Sequence, residues 1–360
     1  MNHNQMIVHN ALNFYVRIMI WILASSMLPF ASVYGTGESG NASLKIGVGA
    51  RSISMGEAST AAVDDVSSIF WNPAGLVLIK DSQLSAMHAE WFSDIRYEWV
   101  GFAQPLSSRA AIAADVSYLY MGSIPRTIES ATEKYEQDGT FSPADIAGRL
   151  ALSIKLRNLL IGGSFQRLQS RIDFRDVTKE EIGDKIAQSF SIDAGCIYNF
   201  QKISGLSFGG CLQNIGSQTS AFFREKESMP FSINIGTVYK TRLSGASAAS
   251  VRRDSQKTKE TEDGDQDQKQ AEPEQFGMLV LAVDVKIPVD NSISAHAGLE
   301  YRFANGVLIR GGYNTVTGLD FPSGLSAGLG YDNNEYQLDY AFVPYGNLGN
   351  THRMSLTVRF

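Results

Sequence analysis

Thr351-His-Arg-Met-Ser-Leu-Thr-Val-Arg-Phe360 is the stretch whose reading decides the fold. His352, Met354, Leu356, Val358 and Phe360 share one parity; Arg353, Ser355, Thr357 and Arg359 share the other. Successive side chains of a strand point to opposite faces, so this strand has a largely apolar face and a charged or hydroxylated one. A soluble sandwich strand carries the same alternation.

The aromatic residue at the end of the strand adds something a sandwich does not require. It resembles the closing strand of bacterial outer-membrane β-barrels, where such an ending serves as the recognition signal for the insertion machinery. On that reading the apolar face meets lipid and the polar face lines a lumen. The same alternation recurs upstream. Over 145–156, Ile146, Leu150, Leu152 and Ile154 oppose Arg149, Ser153 and Lys155. Over 189–198, Phe190, Ile192, Ala194, Cys196 and Tyr198 oppose Ser191 and Asp193. Segments 277–287, 292–303 and 334–342 follow suit, and further candidates lie near 82–91, 96–104, 109–120, 158–168, 203–213, 230–240, 306–314 and 323–331. The expected fold is all-β, a transmembrane antiparallel barrel of about fourteen strands of ten or so residues each.

Composition agrees. The chain has a formal net charge of −6, 44% hydrophobic residues and two cysteines, which fits neither a nucleic-acid binder, a disordered chain nor a disulfide framework. Residues 18–34 form the one long apolar segment, preceded by Arg17 and followed by Gly35-Thr36-Gly37. A basic residue, a short apolar core and small residues after it describe a secretory signal peptide over 1–35, with a signal anchor as the alternative. Tyr34 makes the cleavage site imperfect, and translation could begin at Met6. Beyond it no stretch approaches the roughly 18 consecutive apolar residues a helical span needs. Any crossing of a membrane therefore falls to strands.

The connections test the count. Barrels of this kind have short periplasmic turns and longer external loops. Arg157-Asn158, Asn199–Lys202, Ala304-Asn305-Gly306 and Asn333-Asn334 supply the short turns; 121–144, 169–187 and 214–229 supply the long loops. One segment breaks the pattern. Residues 241–275, with Arg252-Arg-Asp-Ser-Gln-Lys-Thr-Lys-Glu-Thr-Glu-Asp, carry almost no apolar side chain after Val251 and read as a disordered insert. The count places this insert on the periplasmic side, as a solvated insertion or a contact for a periplasmic partner.

Residues 36–80 read as neither strand nor free tail, because they are rich in small residues yet too apolar to be left in water. Gly49-Ala-Arg-Ser-Ile-Ser-Met-Gly56, the small run Ala58–Ala62, Asp64-Asp65 and Asn72-Pro73-Ala74-Gly75 resemble the long-chain fatty-acid transporter (FadL-like) family of outer-membrane proteins. The likeness is closest to its PorV/PorQ-like branch, including related spirochaete proteins. The local likeness covers roughly 45–105. It implies a fourteen-strand barrel, formed here by 81–360, plugged by an amino-terminal hatch. Without the family, the corner is still intelligible: Pro73 fixes its own φ and holds Asn72 extended, so Asn72, Pro73, Ala74 and Gly75 make a rigid turn. They are the candidate gate, with a plain lead-in to the first strand as the alternative. Asp64-Asp65 either pairs with lumen arginines such as Arg149 or Arg302 or is a helix-terminal acidic pair.

Lumen-facing charges should largely neutralise one another. Glu300 falls opposite Arg310 across the 304–306 turn, and Asp339 should approach Arg353. An unneutralised cation would instead receive an anionic head group. Arg96, Val100, Phe102, Arg149, Lys155 and Arg302 are the candidate lumen ligand contacts, because Val100 and Phe102 share parity with Arg96 and Glu98 and would set apolar surface beside charge. Phe222, Phe223 and Met229 are candidates for an apolar landing surface on the outward loops, with ordinary loop packing as the alternative.

Nothing points to catalysis: HExxH and CxxC are lacking, and Ser294 with His296 has no evident orienting acid. No cofactor is implied, and no metal-ligand set is evident. As the resemblance implies, the chain is expected in the bacterial outer membrane, surrounded by its lipid, taking up long-chain fatty acids or similar hydrophobic molecules past the hatch. The second expectation is a PorV-like adaptor barrel that holds secreted cargo or a secretion-system partner.

Overall fold

The computed structural model describes residues 41–91, 94–129, 135–175, 186–220, 226, 228–244, 275–315 and 324–360. The signal-peptide reading, Phe222 and Phe223, and nearly all of the acidic insert lie outside them.

All fifteen strands join one antiparallel sheet: β1 (Gln83–Glu90), β2 (Arg96–Ser107), β3 (Ala110–Tyr120), β4 (Ile124–Ile128), β5 (Glu136–Leu156), β6 (Leu159–Arg175), β7 (Ile186–Asn199), β8 (Leu206–Ser220), β9 (Ser232–Ser244), β10 (Gln275–Pro288), β11 (Ser294–Phe303), β12 (Val307–Asn314), β13 (Leu325–Asp332), β14 (Tyr336–Pro344) and β15 (Asn350–Arg359). β1 pairs with β2 on one side and β15 on the other, and β3 pairs directly with β5. The ring is therefore closed by fourteen strands, and β4 is an extra ribbon on the extended start of β5. Closure leaves no edge in hydrocarbon, where an unpaired backbone group costs several kcal/mol.

Each expected strand is present, and the closing strand has the anticipated faces. Met354 is 56% exposed and Leu356 47%, while Arg353 is 1% exposed and Ser355 4%. Outside, exposed Ile146, Leu150, Leu152 and Ile154 alternate with buried Arg149 and Ser153. Tyr198, Phe208, Tyr331, Tyr336 and Phe360 are exposed around the end that carries the short turns, as in an interfacial aromatic girdle. Among the described residues no helix is long and apolar enough to cross a membrane.

Several boundaries differ from expectation: β6 runs on to Arg175 and β8 to Ser220, into the expected 169–187 and 214–229 loops. Part of the 121–144 loop is strand, because β5 runs back to Glu136 and pairs with β4. The supposed insert starts later, since β9 continues to Ser244 with Leu243 opposite Gly277. The β9–β10 connection does lie at the short-turn end, together with the β5–β6 turn at Arg157 (φ 56°) and the β11–β12 turn at Gly306 (φ 88°).

Residues 41–79 are packed against the inward side of this wall. They contain two short helices, α1 (Ala50–Ser54) and α2 (Ser68–Trp71), and two 3-10 turns, Ala42–Lys45 and Pro73–Leu78. Short helices and turns pair part of their backbone internally, as in Ile53 N to Gly49 O (3.2 Å) and Asn72 N to Ser68 O (3.0 Å), and the remaining buried N–H and C=O groups must find partners. Inward side chains of the strands provide them. Ala50 N donates to Ser355 Oγ (2.8 Å), Gly56 N to Ser326 Oγ (3.0 Å) and Thr60 N to Asp284 Oδ2 (2.6 Å). Gln213 Nε2 donates to Phe70 O (2.7 Å) and Ser153 Oγ to Ala74 O (3.0 Å). The apolar side chains of the segment, Val48, Ile53, Val66, Ile69 and Leu76 among them, form one core with inward Tyr97, Trp99 and Ala341.

Candidate functional site

The corner Asn72–Gly75 is buried against β5, β6 and β7. Asn72 is 0% exposed; its Nδ2 donates to Thr60 O (2.7 Å) and to Cys196 O of the wall (3.2 Å), while its Oδ1 accepts from Ala74 N (3.1 Å). Pro73 follows at the first position of the 3-10 turn, where its missing N–H costs nothing. The wall makes room with glycine: a Cβ at Gly162 would strike the Pro73 and Ala74 backbone, and one at Gly195 would strike Asn72 Oδ1. Strand glycine marks close backbone approach here.

Arg51 of α1 is the centre of a buried charge chain. Its Nη1 contacts Asp64 Oδ1 (2.5 Å) and Asp65 Oδ2 (3.2 Å), and its Nε donates to Glu300 Oε2 (2.9 Å). Lys240 Nζ reaches Asp64 Oδ2 (2.5 Å). Glu300 also receives Arg310 Nε (2.6 Å), and Arg310 Nη1 goes on to Asp339 Oδ1 (2.7 Å). Burial would raise the Asp64 carboxyl, but the charges of Arg51 and Lys240 outweigh it and hold the group well below the usual range. Burial would likewise lower the Arg51 guanidinium; Asp64, Glu300 and Asp65 reverse that and raise it.

These contacts correct several expectations. Glu300 pairs with Arg310 as anticipated, but Asp339 faces Ser355 and turns to Arg310, not Arg353. Arg353 instead donates to Gly47 O (3.1 Å) and lies over the Trp91 ring (5.4 Å). Asp64-Asp65 pairs with Arg51 of its own segment, not with Arg149 or Arg302. Arg149 is buried, bonded to Asp115 (3.2 Å) and stacked on Phe70 (4.5 Å), and Arg302 pairs with Asp332 (3.2 Å) near the short turns. Lys155 sits at that same rim, between the β2–β3 and β5–β6 turns.

Arg96, Val100 and Phe102 do not line the lumen. Val100 is 49% and Phe102 37% exposed on the outer face, and Arg96 shares that parity. The inward face of β2 is Tyr97, Trp99, Gly101 and Ala103, because the lumen beside it is filled with apolar side chains of residues 41–79. Met229 is no landing surface either: it is 5% exposed and packs with Leu44, Ala147 and Leu168.

An open cavity of about 170 Å³ remains at the long-loop end. Leu44, Phe70, Pro230 and Pro288 give it apolar walls, Lys45 and Lys286 give it two ammonium groups, and Glu57 and Asp290 give it two carboxylates. Lys45 forms an ion pair with Asp290. Lys286, on the inward face of β10, has no ion-pair partner among the described residues. Beneath it a pocket of about 20 Å³, roughly one water, shares Glu57, Gln213 and Lys286 with the cavity. Buried Asp284 Oδ1 and Asn234 Oδ1 line it without a hydrogen-bond partner in the structure. Ser294 and His296 are bonded at 2.9 Å, but His296 Nδ1 is engaged by Gly56 O (2.8 Å), so that pair is a structural link to the amino-terminal segment. Phe70, Lys45 and Leu44 were not candidates from sequence, since nothing in their spacing brings them to β10.

The Ralstonia pickettii toluene transporter TbuX superposes with a TM-score of 0.54 at 13% identity, over 87% of this chain and 98% of that one. The Pseudomonas putida toluene transporter TodX gives a TM-score of 0.55 at 12% identity, over 87% and 99%. The chain shares the fold of these barrels. A Pseudomonas aeruginosa FadL homologue aligns over 92% of this chain and 99% of its own, at 12% identity and a TM-score of 0.46. In sequence, residues 31–192 match the model of the uncharacterised protein family UPF0164, and no curated protein matches.

Proposed function

We propose that this barrel sits in the bacterial outer membrane and passively takes up hydrophobic molecules that carry an anionic head, such as long-chain fatty acids. The observation that carries the reading is Lys286: an ammonium without an ion-pair partner among the described residues, inside a cavity walled by Leu44, Phe70, Pro230 and Pro288. Ligand pockets are mostly apolar with a few placed polar anchors, and this one follows that plan. Neighbours named as toluene transporters support a hydrophobic-substrate channel on the same fold. Each methylene moved from water into the cavity contributes about 0.8 kcal/mol, while the ammonium orients the head. Residues 41–79 act as the hatch. Onward passage requires the Asn72–Gly75 corner to leave the wall, surrendering the Asn72 bonds to Thr60 and Cys196 and the Ser153 bond to Ala74.

Titrating the purified barrel with oleate tests the binding step; saturable binding that is weakened by Lys286→Gln is expected. Lack of binding by the wild-type barrel would sink the transporter reading. For the gate, uptake into proteoliposomes should fall when Pro73 and Gly75 are substituted, and unchanged uptake would remove that role. The adaptor reading draws no support from these neighbours.

A further inference from the structure

At the short-turn rim, the β2–β3 and β5–β6 turns meet, with Lys155 N donating to Arg109 O (2.8 Å). Between them opens a depression of about 760 Å³ lined by Ser108, Arg109, Lys155, Leu156 and Arg157. Three of the five lining residues are cations and none is an acid. None of the three has an ion-pair partner among the described residues. The opposite arc of the same rim is different: Arg302 and Arg359 both close on Asp332, at 3.2 and 2.7 Å. Those two cations are neutralised by a shared carboxylate, and the three here are not.

The surroundings say what would neutralise them. Leu106 (57% exposed) and Leu156 (53% exposed) flank the depression, with Ile154 and Leu152 exposed above it on the outer face of β5. A ligand that fits has an anionic group at the height of the strand ends and hydrocarbon running along the wall. We propose that this depression docks the phosphate of an anionic phospholipid from the adjacent leaflet. The guanidinium groups of Arg109 and Arg157 would offer forked donors to the phosphate oxygens, Lys155 a third charge, and the leucines a surface for one acyl chain. The site is separate from the Lys286 cavity at the other end and does not depend on the transport reading.

Native mass spectrometry of the full barrel, released from detergent containing equal phosphatidylglycerol and phosphatidylcholine, tests the proposal. The wild type should retain phosphatidylglycerol preferentially, and each cation removed should cost about fivefold in that preference. R109Q/K155Q/R157Q should abolish it, whereas Lys202→Gln, an exposed cation at the same end, should not change it. Arg157 has φ 56°, so R109Q/R157N, in which Asn suits that backbone, is the second variant should the triple one not close into a heat-modifiable barrel. Undiminished preference in whichever variant folds overturns the site. So does equal loss of preference in Lys202→Gln, which would mark general rim charge. Displacement of the lipid by millimolar inorganic phosphate would assign the site to free phosphate. Displacement by a peptide of residues 252–274 would assign it to the chain's own acidic segment. Either result overturns the lipid.

Discussion

Glu300 and Arg310 face each other across the β11–β12 hairpin, their side chains 0% exposed and joined at 2.6 Å, and Glu300 also holds Arg51 of the amino-terminal segment. One carboxylate thus ties the wall to what fills it. Glu300→Gln leaves two buried guanidinium groups short of an anion, and breaking a buried pair from one side costs about 3–5 kcal/mol. The midpoint of urea unfolding should fall accordingly. R310M should be similarly damaging, and E300Q/R310M less so than the sum of the two, because the pair is then removed together.

Gly311 and Gly312 are adjacent on β12 and make an internal control. A Cβ at Gly312 would collide with the backbone of Met55 and Gly56, whereas one at Gly311 meets nothing within 4 Å. Gly312→Ala should lower stability by about 1–3 kcal/mol through overpacking and loosen residues 41–79. Gly311→Ala should be close to neutral. Limited proteolysis of the amino-terminal segment, read beside urea midpoints, checks both.

That glycine pair shows what the sequence could and could not convey. Strand parity was legible because its period is two and survives any loop length, so Met354, Leu356, Ile146 and Leu150 were placed on the correct face. The Glu300–Arg310 partnership followed from a short turn whose length fixes register. Parity failed on β2, where Arg96 and Glu98 share the outer face with Val100 and Phe102. The rule that polar residues point inward presumes a wet lumen; here Tyr97 and Trp99 meet an apolar filling, and Trp99 Nε1 finds Asp115 Oδ2 at 2.8 Å. Charges near the strand end reach past hydrocarbon to the interface. Arg51 was visible as part of a motif, but its partners lie on β11 and in the Asp64-Asp65 turn, and no local spacing announces them. The cavity is assembled from Leu44, Phe70 and Lys286, three stretches that only the folded barrel brings together.

Seating of the amino-terminal segment should depend on acid. Asp64 has its folded-state value lowered by Arg51 and Lys240 against the opposing effect of burial. The unfolded value is about 3.9. A lowered folded value means the contribution is complete above the unfolded value and is lost as pH falls through the folded one. The Asp64 contribution to protease protection of residues 41–79 should therefore decline as pH falls below about 4. Asp64→Asn should show at pH 7 part of the loosening that the wild type shows in acid. A profile that changes between pH 6 and 8 would point to a different group.

Lys286 offers the sharpest separation of binding from architecture. It contributes no ion pair to the fold among the described residues, so Lys286→Gln should leave the urea midpoint and heat-modifiability close to those of the wild type. Loss of one charge-assisted contact to a carboxylate corresponds to about 1.5–3 kcal/mol, or roughly 10- to 150-fold in Kd. Oleate affinity should drop by that factor. The affinity of oleyl alcohol, with the same tail and no charge, should scarcely move. Lys45→Gln is the contrasting variant, because Lys45 is already neutralised by Asp290 and its removal should disturb oleate binding less. If both variants weaken oleate and oleyl alcohol alike, the ammonium is a packing element and the head-group assignment fails, while a hydrophobic channel on this fold would still stand.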